Sequence, residues 1–398
     1  MKLNGKFSNR SGAAGLALVV LLAGTAGCGA AGSEYEEGAE SEPVRQSTQA
    51  LGSTKPLSYV NNWNDLKNMV SDGNYRLTTN IDASGKTWTP KNFTGTFDGN
   101  GRTISNLTIN VSGDAGFFYS LNNAIVTNVK FTNLSVTGTW VVGGLAAWMT
   151  GSAVDRVVVE GTISVTSGFA VGGIFGEMIG GTLYRSYSKG TVTSVESGPS
   201  GPFLMAGGLV GFLGMSGAQR GTISETYAQT TVSPSTSVTT RTVYAGGLVG
   251  SSYAADIYDV LAIGDVTGRG SVGGLVGYLG CDEFNPWLLY KGIYRGDVVD
   301  KNAPSGGWAG TVGDYEDCFT RWDRTLWDNQ LDPSSNWHVR PGMQDGATTA
   351  QLRSNTVPWG GVYGGQNDNG YSDPPWSAGN SNQHHTLRNI PGPNTPPR

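Results

Sequence analysis

Charge is scarce in this chain: Asp, Glu, Lys and Arg make up 14% of its 398 residues, and the formal net charge is -5. Gripping nucleic acid through its phosphates takes a basic face, which 26 Lys and Arg against 31 Asp and Glu do not supply. Nucleic acid is therefore excluded as a partner. Histidine is scarcer still, at His338, His384 and His385, and none stands in an H-E-x-x-H helix, so zinc-protease chemistry of that kind is excluded too. No G-x-S-x-G elbow occurs, and His384-His385 lies in a Pro- and Asn-rich tail, where a solvated or capping role outweighs a Ser-His-Asp triad. Metal ligation by that pair lacks a Cys or carboxylate at fixed spacing. Beyond the leader, no apolar run is long enough to cross a membrane as a helix, and the 3.6-residue period of amphipathic helices is missing.

What is abundant is glycine, with 61 residues, set among Ser, Thr and Asn. Such a chain is polar without being charged, which suits a β-rich exported protein with many turns. Lys2, Lys6 and Arg10 precede an apolar stretch from Ala13 to Ala26, and Thr25-Ala26-Gly27 leads into Cys28. Residues 1–28 resemble a bacterial lipoprotein signal, although Thr25 stands where that family usually has Leu. The resemblance implies lipidation of Cys28 and anchoring at the outer membrane or cell surface, the membrane being reached through the lipid alone. The bland reading is an ordinary secretory signal cleaved nearby. Residues 29–55 follow as a small, acidic tether with Glu34, Glu36, Glu37, Glu40 and Glu42.

An internal repeat decides the architecture. VVGGLAA from Val141, VGGIFG from Val171, AGGLVG from Ala206, AGGLVG from Ala245 and VGGLVG from Val272 are copies of one phrase, about 27 to 40 residues apart. Behind each phrase an apolar residue opens a strand: Val126, Val154, Leu183, Ile223, Ile257 and Leu289. Three positions on stand Val129, Val157, Ser186, Thr226, Val260 and Gly292, and five on Phe131, Val159, Ser188, Ala228, Ala262 and Tyr294. Nine on, Ile163, Val192, Val232, Val266 and Val298 start a second strand. A three-residue step followed by alternation reads as a corner and then a half-buried strand. Equivalent positions of successive coils stack, so the expected fold is all-β, a β-solenoid. The glycines mark corners with positive φ, or places where one coil lies too close to the next for a Cβ. Insertions occupy Ser194 to Phe203 and Ser233 to Thr242.

The glycine phrases, with their trailing G-T-I or G-D-V, resemble GLUG repeats, found in bacterial surface proteins and beside the catalytic domain of some IgA-specific zinc proteases. Upstream, Asn64-Asp65-Leu66, Tyr75-Arg76-Leu77, Asn80-Ile81-Asp82 and FTGTFDGNGRTISNLTI from Phe93 to Ile109 resemble the coils that precede such repeats. Downstream, Trp327-Asp328, Thr348 to Leu352, Trp359 and His385-Thr386-Leu387 resemble the closing segment. The resemblance implies a right-handed parallel β-helix and no activity. It divides the chain into N-terminal coils at 56–114, GLUG-like repeats at 115–300 and an irregular aromatic-rich closing segment and tail at 301–398.

Two readings of function follow. One is non-enzymatic: a cell-surface β-helix lipoprotein for adhesion, or for recognition of an extracellular glycan or protein, with contacts on the insertions and on Trp287, Trp308, Trp322 and Trp327. It needs no cofactor, metal or catalytic residue. The other is a polysaccharide lyase or glycoside hydrolase using Asp282, Glu283, Asp314, Glu316, Asp317, Asp323 and Asp328 in a groove, near Arg321, Arg324 or Arg340. An acidic, aromatic cap over the exposed end of the stack explains the same residues, and is the better reading where the repeat fades. Calcium at Asp98-Gly99-Asn100-Gly101 competes with a plain tight turn. Cys281 and Cys318, in an oxidising compartment, are expected to form a disulfide that staples the closing segment to the last coil.

Overall fold

Short apolar segments broken by Gly, Asn and Ser must pair their backbone groups with distant segments, and the structure joins each to its equivalent one repeat later. The computed structural model describes residues 52–195, 203–235 and 241–280. Beyond these it describes the backbone strands Leu288–Arg295, Val298–Asp300, Ala309–Val312, Leu326–Asp328, Gly346–Ala347, Trp376–Ser377 and Thr386–Leu387. Among the described residues there are a long sheet of 16 strands, a second of 9 and a third of 5, with a separate antiparallel pair. Pairing within the three sheets is parallel except at Gln219–Arg220, which folds back on Met215 and Ser216. The chain is thus all-β with parallel, β-helix-like sheets, each repeat contributing strands to all three.

The expected columns are the observed registers. Val126 pairs with Val154, Val154 with Leu183, Leu183 with Ile223, Ile223 with Ile257 and Ile257 with Leu289. Ile163, Val192, Val232, Val266 and Val298 form a second column. Those with described side chains are buried in one continuous core, each worth about 1.5–3 kcal/mol of burial. At the N-terminal end the core is aromatic: Trp88 stacks on Phe117 at 4.6 Å and Phe93 on Phe118 at 4.8 Å. Along the column that begins at Phe131 the residues shrink to Val159, Ser188, Ala228 and Ala262. The buried Ser188 hydroxyl is satisfied, donating to the Gly208 carbonyl at 2.5 Å.

Two expectations about corners are revised. The three-residue step is a bend inside one long strand in Ile125–Gly138, Ala153–Val165 and Thr222–Ser235, so that Ile163 and Val232 continue the first strand instead of starting a second. At Arg185, however, the step parts Thr182–Tyr184 from Tyr187–Val195. The bend is made by one left-handed residue per coil: Asn128 (φ 53°), Arg156 (54°), Arg185 (42°), Glu225 (49°) and Asp259 (53°). Asn and Asp adopt that region at modest cost, whereas Arg and Glu are strained there. Side-chain pairing accompanies the strain: Arg185 makes two hydrogen bonds to Asp155 at 2.8 and 2.7 Å, and Arg156 donates to Asn128 at 2.7 Å. The Gly-Gly phrases, by contrast, have no positive φ. Close approach explains them, because a Cβ on Gly173 would stand 2.1 Å from the Gly208 carbonyl, and one on Gly208 2.0 Å from that of Gly247.

The first coil holds a helical turn, Trp63–Lys67, that the strand pattern hid; the Asn62 side chain caps it, accepting from Asn64 N at 2.8 Å and Asp65 N at 3.1 Å. Asp98-Gly99-Asn100-Gly101 is a bend inside the strand Thr96–Ser105, at a register shift against Ile125–Gly138, with Asn100 at φ 50° and Gly101 at φ 71°. The Asp98 carboxylate accepts from Asn100 N at 2.7 Å and from Arg76 at 2.8 Å, so its oxygens are engaged within the bend and its neighbour.

Candidate functional site

Each glycine phrase carries the chain from the third sheet to the second, as from Val141–Gly143 to Ala146–Thr150 and from Ala170–Gly172 to Phe175–Ile179. The reversal is so tight that a Cβ on Gly211 of the second sheet would lie 2.6 Å from the Val171 nitrogen of the third. Their outer faces therefore meet over a small buried apolar cluster of Val141, Ala147, Ala170 and Met205, against which Trp148, Phe169, Phe212 and Tyr244 pack. This cluster is separate from the interior core.

The residue that follows each glycine phrase faces this side. Trp148, Glu177, Phe212, Ser251 and Tyr278 occupy that position, and each is paired in register with the next along the second sheet. A nearly invariant phrase is thus followed by one free choice per coil.

Most rings in this region are spent on one another. Trp140 stacks on Phe169 at 5.9 Å, Phe203 on Tyr244 at 5.7 Å, and Tyr244 approaches Tyr278 at 4.9 Å. Stacked in this way, they turn their faces to the neighbouring coil and strengthen the pile. Trp148, Phe212 and Tyr119 make no ring contact among the described residues. Trp148 is fixed instead by Asp114, whose Oδ2 accepts from the indole Nε1 at 2.8 Å and from the Tyr119 hydroxyl at 3.1 Å. Oδ1 of the same carboxylate accepts from the Val141 nitrogen at 3.0 Å. Asp114 is fully engaged, and it holds two aromatic side chains in place.

Glu177 lies between Trp148 and Phe212, one coil from each. It is 7% exposed, yet makes no hydrogen bond or ion pair among the described residues. Burial, with the Asp114 charge adding to it, pushes its carboxyl up to about 7. The outer face of the long sheet shows the usual alternative: Glu160 there accepts from Lys130 at 2.9 Å and from the Tyr187 hydroxyl at 3.1 Å, beside stacked Tyr187 and Tyr227. That carboxylate is satisfied by its own chain, whereas Glu177 has no protein donor among the described residues and its oxygens are reached by solvent.

The residues singled out from sequence fall elsewhere. Cys28, Cys281, Cys318, Trp287, Trp308 and Trp322, with the late Asp and Glu residues as far as Asp323, lie outside the described residues. Trp327 and Asp328 belong to the backbone strand Leu326–Asp328, where Trp327 pairs with Tyr294 on the long sheet. Among the described residues, no three His, Cys, Asp or Glu side chains gather as metal ligands would, and no helix is long and apolar enough to cross a membrane.

Comparison with known proteins gives a likeness of fold. No protein-family model matches the chain. A solved structure named IgA1 protease superposes with a TM-score of 0.50 at 18% identity, covering 72% of this chain and 22% of that one. A candidate immunoglobulin A1 protease from Bacteroides ovatus gives a TM-score of 0.48 at 17% identity, covering 82% of this chain and 94% of that one. In sequence, Halomucin from Haloquadratum walsbyi is 33% identical over 138 residues, 30% of this chain and 2% of that protein. The chain thus spans a small part of Halomucin, and the IgA1 protease likeness speaks for the fold alone.

Proposed function

We propose that this protein is a non-enzymatic surface scaffold: a right-handed parallel β-helix of GLUG-type repeats with an aromatic-rich C-terminal cap. It is lipid-anchored at Cys28 on the outer membrane or cell surface and recognises a glycan or protein there. The right hand is favoured because parallel strands joined by crossovers take that sense almost without exception. The observation that supports recognition is the group of partly buried rings, Trp148, Phe169, Phe212 and Tyr244, gathered where the outer faces of the second and third sheets meet, with Glu177 paired in register between Trp148 and Phe212. Rings on a rigid stack contribute affinity without a large ordering cost. The test is retention of the full-length protein on glycan and extracellular-protein arrays, comparing wild type with a Trp148→Ala/Phe212→Ala double variant. Specific retention that the double variant loses is expected; no retention, or retention unchanged by the substitutions, overturns the proposal.

A further inference from the structure

The long sheet ends at the strand Leu57–Val60, which pairs with Asn74–Leu77 along one edge and, among the described residues, with no strand along the other. In a parallel pair each residue turns its N–H and C=O to the same side, and successive residues turn them to alternate sides. Val60 faces the next coil, its carbonyl accepting from Thr78 N at 3.1 Å. Ser58 therefore faces that coil too, and Leu57 and Tyr59 turn their backbone groups to the open edge. The amides on either side of this window are closed off by side chains: Lys55 N donates to Ser53 Oγ at 3.1 Å, and Asn61 N to Asp65 Oδ2 at 2.8 Å. Leu57 and Tyr59 have no such cover among the described residues, and they are 40% and 59% exposed on the outer face. An open edge of this kind is a template for a further strand.

We propose that a second copy of this chain takes the edge, joining two stacks head to head through antiparallel pairing of Leu57–Val60 with itself about a two-fold axis at Ser58. The open window is its own complement. Leu57 and Tyr59 stand one residue either side of Ser58, so the two-fold sets Leu57 against Tyr59 of the second copy, and the reverse, each pair exchanging both N–H···O bonds. Every outward backbone group of the window then has a partner, and the exposed Leu and Tyr side chains lie side by side across the joint. The same register sets Lys55 opposite Asn61 of the second copy, whose amide holds the Asp65 carboxylate. A cation thus meets an anion at both ends of the window. A slip of two residues would instead bring open groups against amides that Ser53 and Asp65 already engage. A strand of unrelated sequence matches a backbone edge but not this symmetry of open and closed groups. The joint goes beyond the recognition reading and does not depend on it; two joined stacks carry two copies of any recognising face, which raises avidity for a repeating surface.

The test places single cysteines in this strand of the full-length protein. Ser58→Cys puts a thiol on the axis, where opposed residues of a non-hydrogen-bonded pair have Cα atoms about 4.5 Å apart, within reach of a disulfide. Leu57→Cys leaves the two thiols out of register and beyond that reach. Mild oxidation should give a reducible dimer of Ser58→Cys about ten-fold or more abundant than that of Leu57→Cys, and Leu57→Cys should couple to Tyr59→Cys when the two chains are mixed. Without oxidation, wild type should sediment as a dimer and Tyr59→Pro as a monomer with unchanged β-sheet circular dichroism, because an edge strand accepts proline where its N–H faces outward. Equal cross-linking at positions 57 and 58, a wild type that stays monomeric at the highest concentration reached, or a Tyr59→Pro variant that still dimerises overturns the joint. A monomer whose Leu57 and Tyr59 amides resist hydrogen exchange has its edge covered by another segment of its own chain, and overturns it as well.

Discussion

Replacing Glu177 by Gln should stabilise the protein, and only at high enough pH. An acid whose value rises from 4.5 in the unfolded chain to about 7 in the folded one holds its proton more tightly when folded. Stability linked to that proton is complete below about pH 4.5, is lost as pH climbs, and is gone above about pH 7. At about 1.4 kcal/mol per pH unit the loss reaches about 3 kcal/mol. Glutamine is of nearly the same size, carries no charge and has nothing to lose over that range. Urea unfolding of both proteins at pH 4.5 and pH 8.5 measures the effect, because every other titrating group is common to the two and cancels in the difference. Wild type and variant should be close at pH 4.5, with the variant ahead by about 3 kcal/mol at pH 8.5. A wild-type-to-variant difference that is the same at both pH values would falsify the claim that burial beside Asp114 holds Glu177 protonated.

Gly208→Ala should destabilise the stack by at least about 3 kcal/mol or prevent folding, because the new methyl would meet the Gly247 carbonyl at 2.0 Å. Gly113→Ala, with nothing within 4 Å and no positive φ, should be tolerated, and thermal melts of the pair decide whether close approach is what the repeat glycines answer. Asp114→Asn should cost about 1–3 kcal/mol, since an amide cannot accept all three of the bonds from Val141, Trp148 and Tyr119 as the carboxylate does; denaturation with tryptophan emission as the probe reads both the loss and the loosening of Trp148. Alkylation of the exported protein under denaturing, non-reducing conditions should leave Cys281 and Cys318 unmodified, and labelling of both thiols would sink the proposed disulfide.

The core was legible because burial imposes a period. Val126, Val154, Leu183, Ile223 and Ile257 recur at corresponding places in the repeat and pair in the register their spacing implies. The left-handed corners were not legible, since Arg156, Arg185 and Glu225 are residue types that do not advertise positive φ. What holds them includes partners such as Asp155 and Tyr184, visible only once coils are stacked. The aromatic cluster was missed for a related reason: attention fell on a run of Trp and carboxylates late in the chain, where composition is unusual. Its residues are dispersed singly, Trp148, Glu177 and Phe212 standing 29 and 35 positions apart. One signal was present all along, the one variable position behind each nearly constant glycine phrase.

That position shows how a repeat protein can carry a site at little cost to its scaffold. The inward columns and the Gly-Gly turns answer to the stack, where a wrong residue clashes with a neighbouring coil, so their identities are held narrowly. The outward position after each phrase has no such duty, and Ser251 and Tyr278 show that a small polar residue or a ring serves equally in the fold. Glutamate is the one choice in that column whose surroundings disfavour its charged form, through burial and the Asp114 charge, so that it lowers stability as pH rises towards neutral. A residue that weakens the fold where serine would not is explained by use, and the two rings beside it that forgo the stacking made elsewhere in the cluster belong to the same explanation. If Glu177→Gln raises stability and abolishes ligand binding together, stability and recognition oppose each other at this position; if it raises stability and leaves binding intact, the buried carboxyl is a defect of the stack and the site lies elsewhere.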